Sequence, residues 1–123
     1  MSKTVLLVDD ETLVVDIAKR KLEKDGFKIL TAGNGQEALD VLENNKADLI
    51  ILDIEMPVMN GYTFLFELEK KKKQPRIPII VLTAYNFMEP IFKRHNIIAY
   101  LLKPLKLDEL LDKIKKILGA PAA

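Results

Sequence analysis

The run Leu49-Ile50-Ile51-Leu52-Asp53 constrains this chain most. Consecutive apolar residues with no polar alternation suit a strand buried on both faces, as in a parallel sheet covered by helices. Bounded so closely, the run is also too short for an ordinary helix. It ends in a carboxylate, followed by Ile54-Glu55-Met56-Pro57. Open α/β sheets bind their ligands at the carboxyl ends of the strands, so Asp53 stands where chemistry is expected. A charge in such a place is costly to bury alone, so the fold must bring it a partner.

The flanking sequence repeats this pattern. Residues 4–8 read as a buried strand ending at Asp9-Asp10-Glu11. A helix follows, with Leu13 and Ile17 on one ladder and Val14, Ala18 and Leu22 on another, and it stops at Gly26. Residues 27–32 form a weaker strand. Asn34 caps the next helix, with Glu37 placed as in a capping box and Ala38, Leu39 and Leu42 facing inward. The central strand spans 48–53, and its loop closes at Met59-Asn60-Gly61. A helix over about 62–73 turns Phe64, Leu65 and Leu68 inward. Residues 78–82 form another buried strand, ending at Thr83, and 97–102 a fifth, ending at Lys103-Pro104. The last helix carries Leu107, Leu110, Leu111, Ile114, Ile117 and Leu118 on one face and stops at Gly119.

Strand and helix alternate throughout, so the expected fold is α/β, a doubly wound five-stranded parallel sheet with five flanking helices. The patterning is poor only over 84–96, where Phe87, Met88, Pro90 and Phe92 give an apolar, proline-interrupted stretch. Proline is excluded from a helix interior, so the fourth helix is short and begins there or is partly loop.

With 123 residues there is room for one domain, placed at 1–119, with 120–123 as a disordered tail. The formal net charge of +1 gives no general attraction to nucleic acid or membrane. The chain has no cysteine, which removes disulfides, thiolate metal sites and cysteine nucleophiles. No apolar run approaches the roughly 20 residues of a membrane span. Met1-Ser2-Lys3 runs directly into a strand, leaving no space for a signal peptide, and a cytoplasmic location is expected.

Asp9-Asp10, Asp53, Thr83 and Lys103 all lie at strand ends, hence on one edge of a parallel sheet. Three carboxylates crowded together repel, and a hard divalent cation with oxygen ligands, Mg²⁺ above all or Mn²⁺, relieves that. Lys103 brings a mobile charge suited to a phosphate oxygen, and Thr83 a hydroxyl donor. A carboxylate nucleophile, a metal, a lysine and a hydroxyl together suit transfer of a phosphoryl group to Asp53. Each residue has a plainer reading. Asp9-Asp10 can complement a helix dipole, Thr83 can cap a strand end, Lys103 can neutralise Asp53, and Tyr100 can be packing.

The chain resembles a bacterial two-component response-regulator receiver domain from Val5 to Leu118. The matching pieces are Leu7-Val8-Asp9-Asp10-Glu11, Leu52-Asp53-Ile54-Glu55-Met56-Pro57 with Asn60-Gly61, Val81-Leu82-Thr83-Ala84 and Tyr100-Leu101-Leu102-Lys103-Pro104. The resemblance implies a flavodoxin-like sheet of order 2-1-3-4-5. It makes Asp53 the acceptor of a phosphoryl group from a sensor histidine kinase or histidine phosphotransfer protein. Asp10, Asp53 and the Glu55 backbone carbonyl would hold Mg²⁺, with Asp9 acting through water. Thr83 and Lys103 would engage the phosphoryl oxygens, Thr83 and Tyr100 would switch, and the Glu55 side chain would modulate the lifetime of the acyl phosphate. A cis peptide is expected before Pro104. The output is a contact with a downstream protein rather than enzymatic turnover, with no direct role for nucleic acid or membrane.

The resemblance also implies a docking surface for the histidine partner, formed by Val14 or Val15 with Leu105. These valines are adjacent on a helix and cannot both face the sheet. Glu55 is otherwise most simply a solvent-facing loop residue. Lys70–Lys73 with Arg76 reads as a solvated helix end. Gly33-Asn34-Gly35 follows the second strand and lacks a third glycine, so it is no dinucleotide loop. His95, in the poorly patterned stretch, is not placed as a phosphodonor. Two rivals keep the same parts. A haloacid-dehalogenase-type phosphatase needs an aspartate where Glu55 stands, and a pseudo-receiver would signal without phosphate.

Overall fold

The computed structural model describes residues 3–55, 59–71, 77–84 and 97–119. In chain order they form β1 (Thr4–Val8), α1 (Thr12–Lys24), β2 (Lys28–Ala32), α2 (Gly35–Asn44), β3 (Leu49–Asp53), α3 (Gly61–Lys71), β4 (Ile79–Thr83), β5 (Ile97–Leu102) and α4 (Leu107–Leu118). The five strands make one sheet in the order β2-β1-β3-β4-β5. Every neighbouring pair is parallel. Four helices lie among the described residues. The further helix expected after Thr83 falls on 85–96, outside them, as do Pro90, His95, the segment 56–58 and the tail at 120–123.

The apolar runs do what their composition requires. β3 and β4 are buried along their whole length. Alternate residues serve opposite faces. Leu6, Val8, Ile50, Leu52, Ile79 and Val81 pack with Ala38, Leu39, Phe64 and Leu65 from α2 and α3. Val5, Leu7, Leu49, Ile51, Ile80 and Leu82 pack with Val15, Ala18, Leu22, Leu110 and Ile114 from α1 and α4. Each fully buried Leu or Ile contributes about 1.5–3 kcal/mol. The two layers therefore hold the sheet rigidly from both sides, and its carboxyl edge inherits that rigidity.

Local signals set most element ends. Gly26 at the end of α1 has φ 100°, in the left-handed region that glycine enters without penalty. Asn34 accepts the Glu37 amide at 2.9 Å. The Glu37 side chain in turn accepts the Gly33 amide at 2.6 Å, one residue before the cap. The loop after β3 closes on itself where Gly61 donates to the Ile54 carbonyl at 3.1 Å. A Cβ on Gly61 would lie 2.8 Å from the backbone Cα of Ile54, so only glycine fits that closure. The Lys103–Pro104 peptide is cis, as expected.

The structure settles which face of α1 is inward, a choice the i, i+4 spacing left open. Val15, Ala18 and Leu22 are the buried residues. Leu13 is 73% exposed and Ile17 49%. Positions two apart on a helix point about 200° away from each other, so once Val15 faces the sheet the Leu13–Ile17 ladder must face solvent. Val14 is half-buried, which makes it the valine left beside the outer face.

Candidate functional site: the carboxyl edge of the sheet

The register carries the polar strand ends to one place. Val8 pairs with Leu52, so Asp9 follows beside Asp53. Asp53 pairs with Leu82, directly before Thr83. Thr83 pairs with Leu102, directly before Lys103. Backbone bonds continue past the strands, from Asp9 N–H to the Ala32 carbonyl at 3.0 Å and from Lys103 N–H to the Thr83 carbonyl at 2.8 Å. The loops therefore leave the sheet from anchored positions.

Asp9, Asp10 and Asp53 each offer a carboxylate oxygen, and these oxygens lie within 4.8 Å of one another. Asp9 and Asp53 are buried, while Asp10 is exposed. Asp9 Oδ1 accepts the Glu11 amide at 2.9 Å, and Asp53 Oδ1 accepts the Glu55 amide at 3.0 Å. The Lys103 ammonium sits 2.8 Å from Asp53 Oδ1 and 4.0 Å from Glu11 Oε1. Asp53 Oδ2 is buried and has no hydrogen-bond partner among the described residues.

The electrostatics follow from that geometry. Desolvation is the largest influence on the Asp53 carboxyl; together with the nearby Asp9 charge it outweighs the Lys103 and Glu55 bonds, and the carboxyl is pushed up to about 6. Burial alone would lower Lys103, but its hydrogen bond to Asp53 and the charges of Asp53, Asp9 and Glu55 hold its ammonium above the usual range. One lysine thus leaves the buried acid under-compensated. An orphaned carboxylate oxygen inside an all-oxygen donor set of three acids fits a hard divalent cation such as Mg²⁺.

Of the residues expected from sequence, Asp9, Asp10, Asp53, Thr83 and Lys103 are brought together here. Thr83 is buried at the end of β4. Tyr100 pairs with Val81 on the adjacent strand, and its half-buried ring packs against the cluster containing Phe64 and Val81. Leu105 packs against the opposite cluster. The simplest sequence reading of Glu55 is overturned. Its side chain turns inward, and Oε1 accepts the Ala84 amide at 2.7 Å, while Oε2 is buried without a partner among the described residues. The only signal for this was the spacing, since residues two apart in extended backbone share a side.

Comparison with known proteins agrees with this arrangement. The profile of the family described as "Response regulator receiver domain" matches residues 5–115, and the chain belongs to that family. It is 31% identical over 120 residues to sporulation initiation phosphotransferase F of Bacillus subtilis, covering 96% of this chain and 95% of that one. It is 37% identical over 120 residues to the probable transcriptional regulator ycf29 of Porphyra purpurea, covering 96% of this chain and 57% of that protein. The chain thus spans little more than half the length of that regulator. Among solved structures, response regulator TrrA of Thermotoga maritima, in complex with Mg²⁺-BeF, is 39% identical with a TM-score of 0.75, covering 94% of this chain and 98% of that one.

The chain is a receiver domain, a signalling module of two-component and phosphorelay systems, and Mg²⁺ binding is typical of its family. Receiver domains interact with histidine kinases and phosphotransfer proteins. Among the described residues, no helix is long and apolar enough to cross a membrane.

Proposed function

We propose that Asp53 is the phosphoacceptor of this receiver, and that it takes its phosphoryl group from a histidine kinase or phosphotransfer protein. The observation that carries the reading is the state of its carboxylate, fully buried, held at Oδ1 by Lys103 and without a partner at Oδ2 among the described residues. Such a group is oriented, dehydrated and short of compensation, as a carboxylate nucleophile should be. A carboxylate oxygen of Asp53 bonds to phosphorus as the P–N bond of the donor phosphohistidine breaks. The imidazole leaves with that electron pair and takes up a proton.

Lys103 holds the attacking carboxylate in place and offsets the charge that gathers on the phosphoryl oxygens. The Thr83 hydroxyl donates to one of those oxygens. Tyr100, on the neighbouring strand, moves with Thr83 to alter the output face. Asp10, Asp53 and the Glu55 carbonyl would hold Mg²⁺, with Asp9 acting through water. Bound there, the ion would offset the charge of the acids and supply electrostatic stabilisation for phosphoryl transfer. Val14 and Leu105, beside the exposed Leu13–Ile17 ladder, form the docking face for the histidine partner. The domain signals from the cytoplasm by protein contact and turns over nothing but its own acyl phosphate. A phosphatase would need a free acid where Glu55 is instead bonded to Ala84.

The test is intact mass after incubation with acetyl phosphate. The expected result is a Mg²⁺-dependent gain of one phosphoryl group, absent from Asp53→Asn. Failure of the wild type to gain mass would overturn the reading.

A further inference from the structure

The Glu55 side chain occupies more than a convenient surface position. Its Oε1 takes the amide of Ala84, the residue directly after Thr83, at 2.7 Å. Its charge also bears on the Lys103 ammonium, after those of Asp53 and Asp9. Its own backbone amide is bonded to Asp53 Oδ1. The Glu55 carboxylate is therefore bonded to a backbone donor at the end of β4, and its charge is felt by the lysine that holds the acceptor.

The geometry points to Glu55 as an internal latch: its carboxylate occupies the subsite that the phosphoryl group on Asp53 must take, and it has to release the Ala84 amide when Asp53 is modified. The inference rests on the reading of Asp53 as phosphoacceptor. A phosphoryl group brings about 1.5–2 negative charges and three strong acceptor oxygens, which need donors near the end of β4. The Ala84 amide is such a donor, and it is already taken. Two anions cannot share it in a pocket of low dielectric. Glu55 is also only half satisfied, because its Oε2 is buried without a partner among the described residues, which lowers the cost of its departure. Departure of Glu55 exchanges one bond for another. The tie from Ala84 to the loop after β3 is lost, and a tie from Ala84 to the modified Asp53 replaces it. The Glu55 side chain contacts no reacting atom in this scheme, so it acts as a positioning group, and its effect is to hold the unmodified arrangement.

Glu55→Gln and Glu55→Ala test this, with beryllofluoride as the probe at saturating Mg²⁺ so that altered metal affinity does not enter. The Ala84 amide proton is followed by NMR in metal-free protein. Loss of a charge-assisted bond should shift that proton upfield in Glu55→Ala, with Glu55→Gln between it and the wild type. Beryllofluoride should bind roughly tenfold more tightly to Glu55→Ala and a few-fold more tightly to Glu55→Gln, the scale of one such bond no longer displaced. Beryllofluoride should then restore the Ala84 shift in all three proteins. Unchanged or weaker binding in both variants, or an Ala84 resonance indifferent to the substitutions, would overturn the latch. The near-isosteric Gln variant keeps the test valid if Ala perturbs folding. A wild type that takes neither beryllofluoride nor a phosphoryl group would overturn the Asp53 reading instead.

Discussion

The molecule contains the same chemical pair, a carboxylate and a lysine, in two unlike places. Glu43 and Lys71 join α2 to α3 at the surface, where both side chains are well exposed. Asp53 and Lys103 meet at 2.8 Å at the sheet edge, where the aspartate side chain is 0% exposed and the lysine 21%. In each pair the lysine is raised above its ordinary value. For Lys71 the hydrogen bond to Glu43 is the main cause, and water still reaches both partners. For Asp53 desolvation outweighs the lysine, and the acid rises rather than falls. Identical chemistry thus makes a minor tether at the surface and a buried, under-compensated acid at the sheet edge. Solvent decides which.

Removing the lysine from each pair gives the sharpest contrast. Lys103→Met strands a buried carboxylate beside Asp9 and should cost roughly 3 kcal/mol at neutral pH, read by urea unfolding. A cost indistinguishable from zero would break the comparison, because Asp53 would then need no partner. On the proposed reading, Mg²⁺ would supply the compensation that Lys103 does not complete. At about a hundred times its dissociation constant it should stabilise the wild type by about 2–3 kcal/mol and Asp53→Asn far less, read as a shift in Tm.

The pH dependence tests the sign. Asp53 is raised from 3.8 to about 6, so the folded protein holds a proton that the unfolded chain has released. Its stabilising contribution is therefore complete below the unfolded value and lost as pH rises through about 6. In metal-free buffer, the wild type should lose roughly 2 kcal/mol relative to Asp53→Asn between pH 4 and 7. An unchanged difference between the two proteins across that range would mean that Lys103 fully offsets the burial. The smallest effect belongs to the surface. Lys71→Met should leave the unfolding midpoint nearly unchanged, and added salt should erase whatever difference remains.

Wherever one short-range rule was sufficient, the fold was legible in the residues. β5 begins and ends at Ile97 and Leu102, the bounds expected from its apolar run. Asn34 caps α2, and Gly26 and Gly119 end their helices with positive φ. The strand-end polar residues were legible as a site because a parallel sheet places all its carboxyl ends on one edge. Two features were not. α1 carries more apolar residues than one face can bury, so periodicity alone left its rotation open. Glu55 reads as a loop acid until its partner, the amide of Ala84, is known, and that partner lies 29 positions away.

The sequence by itself determined the parallel α/β layering, the identity of the acids, hydroxyl and lysine, and their common edge. Those follow from apolar run length, caps and the period of side-chain alternation, which act over a few residues. Tertiary structure alone decided that Val15 rather than Leu13 faces the sheet, that Glu55 turns inward, and that Asp53 is raised although a lysine touches it. Each depends on how much water is excluded by groups distant in the chain, and exclusion of water is a property of the packed whole.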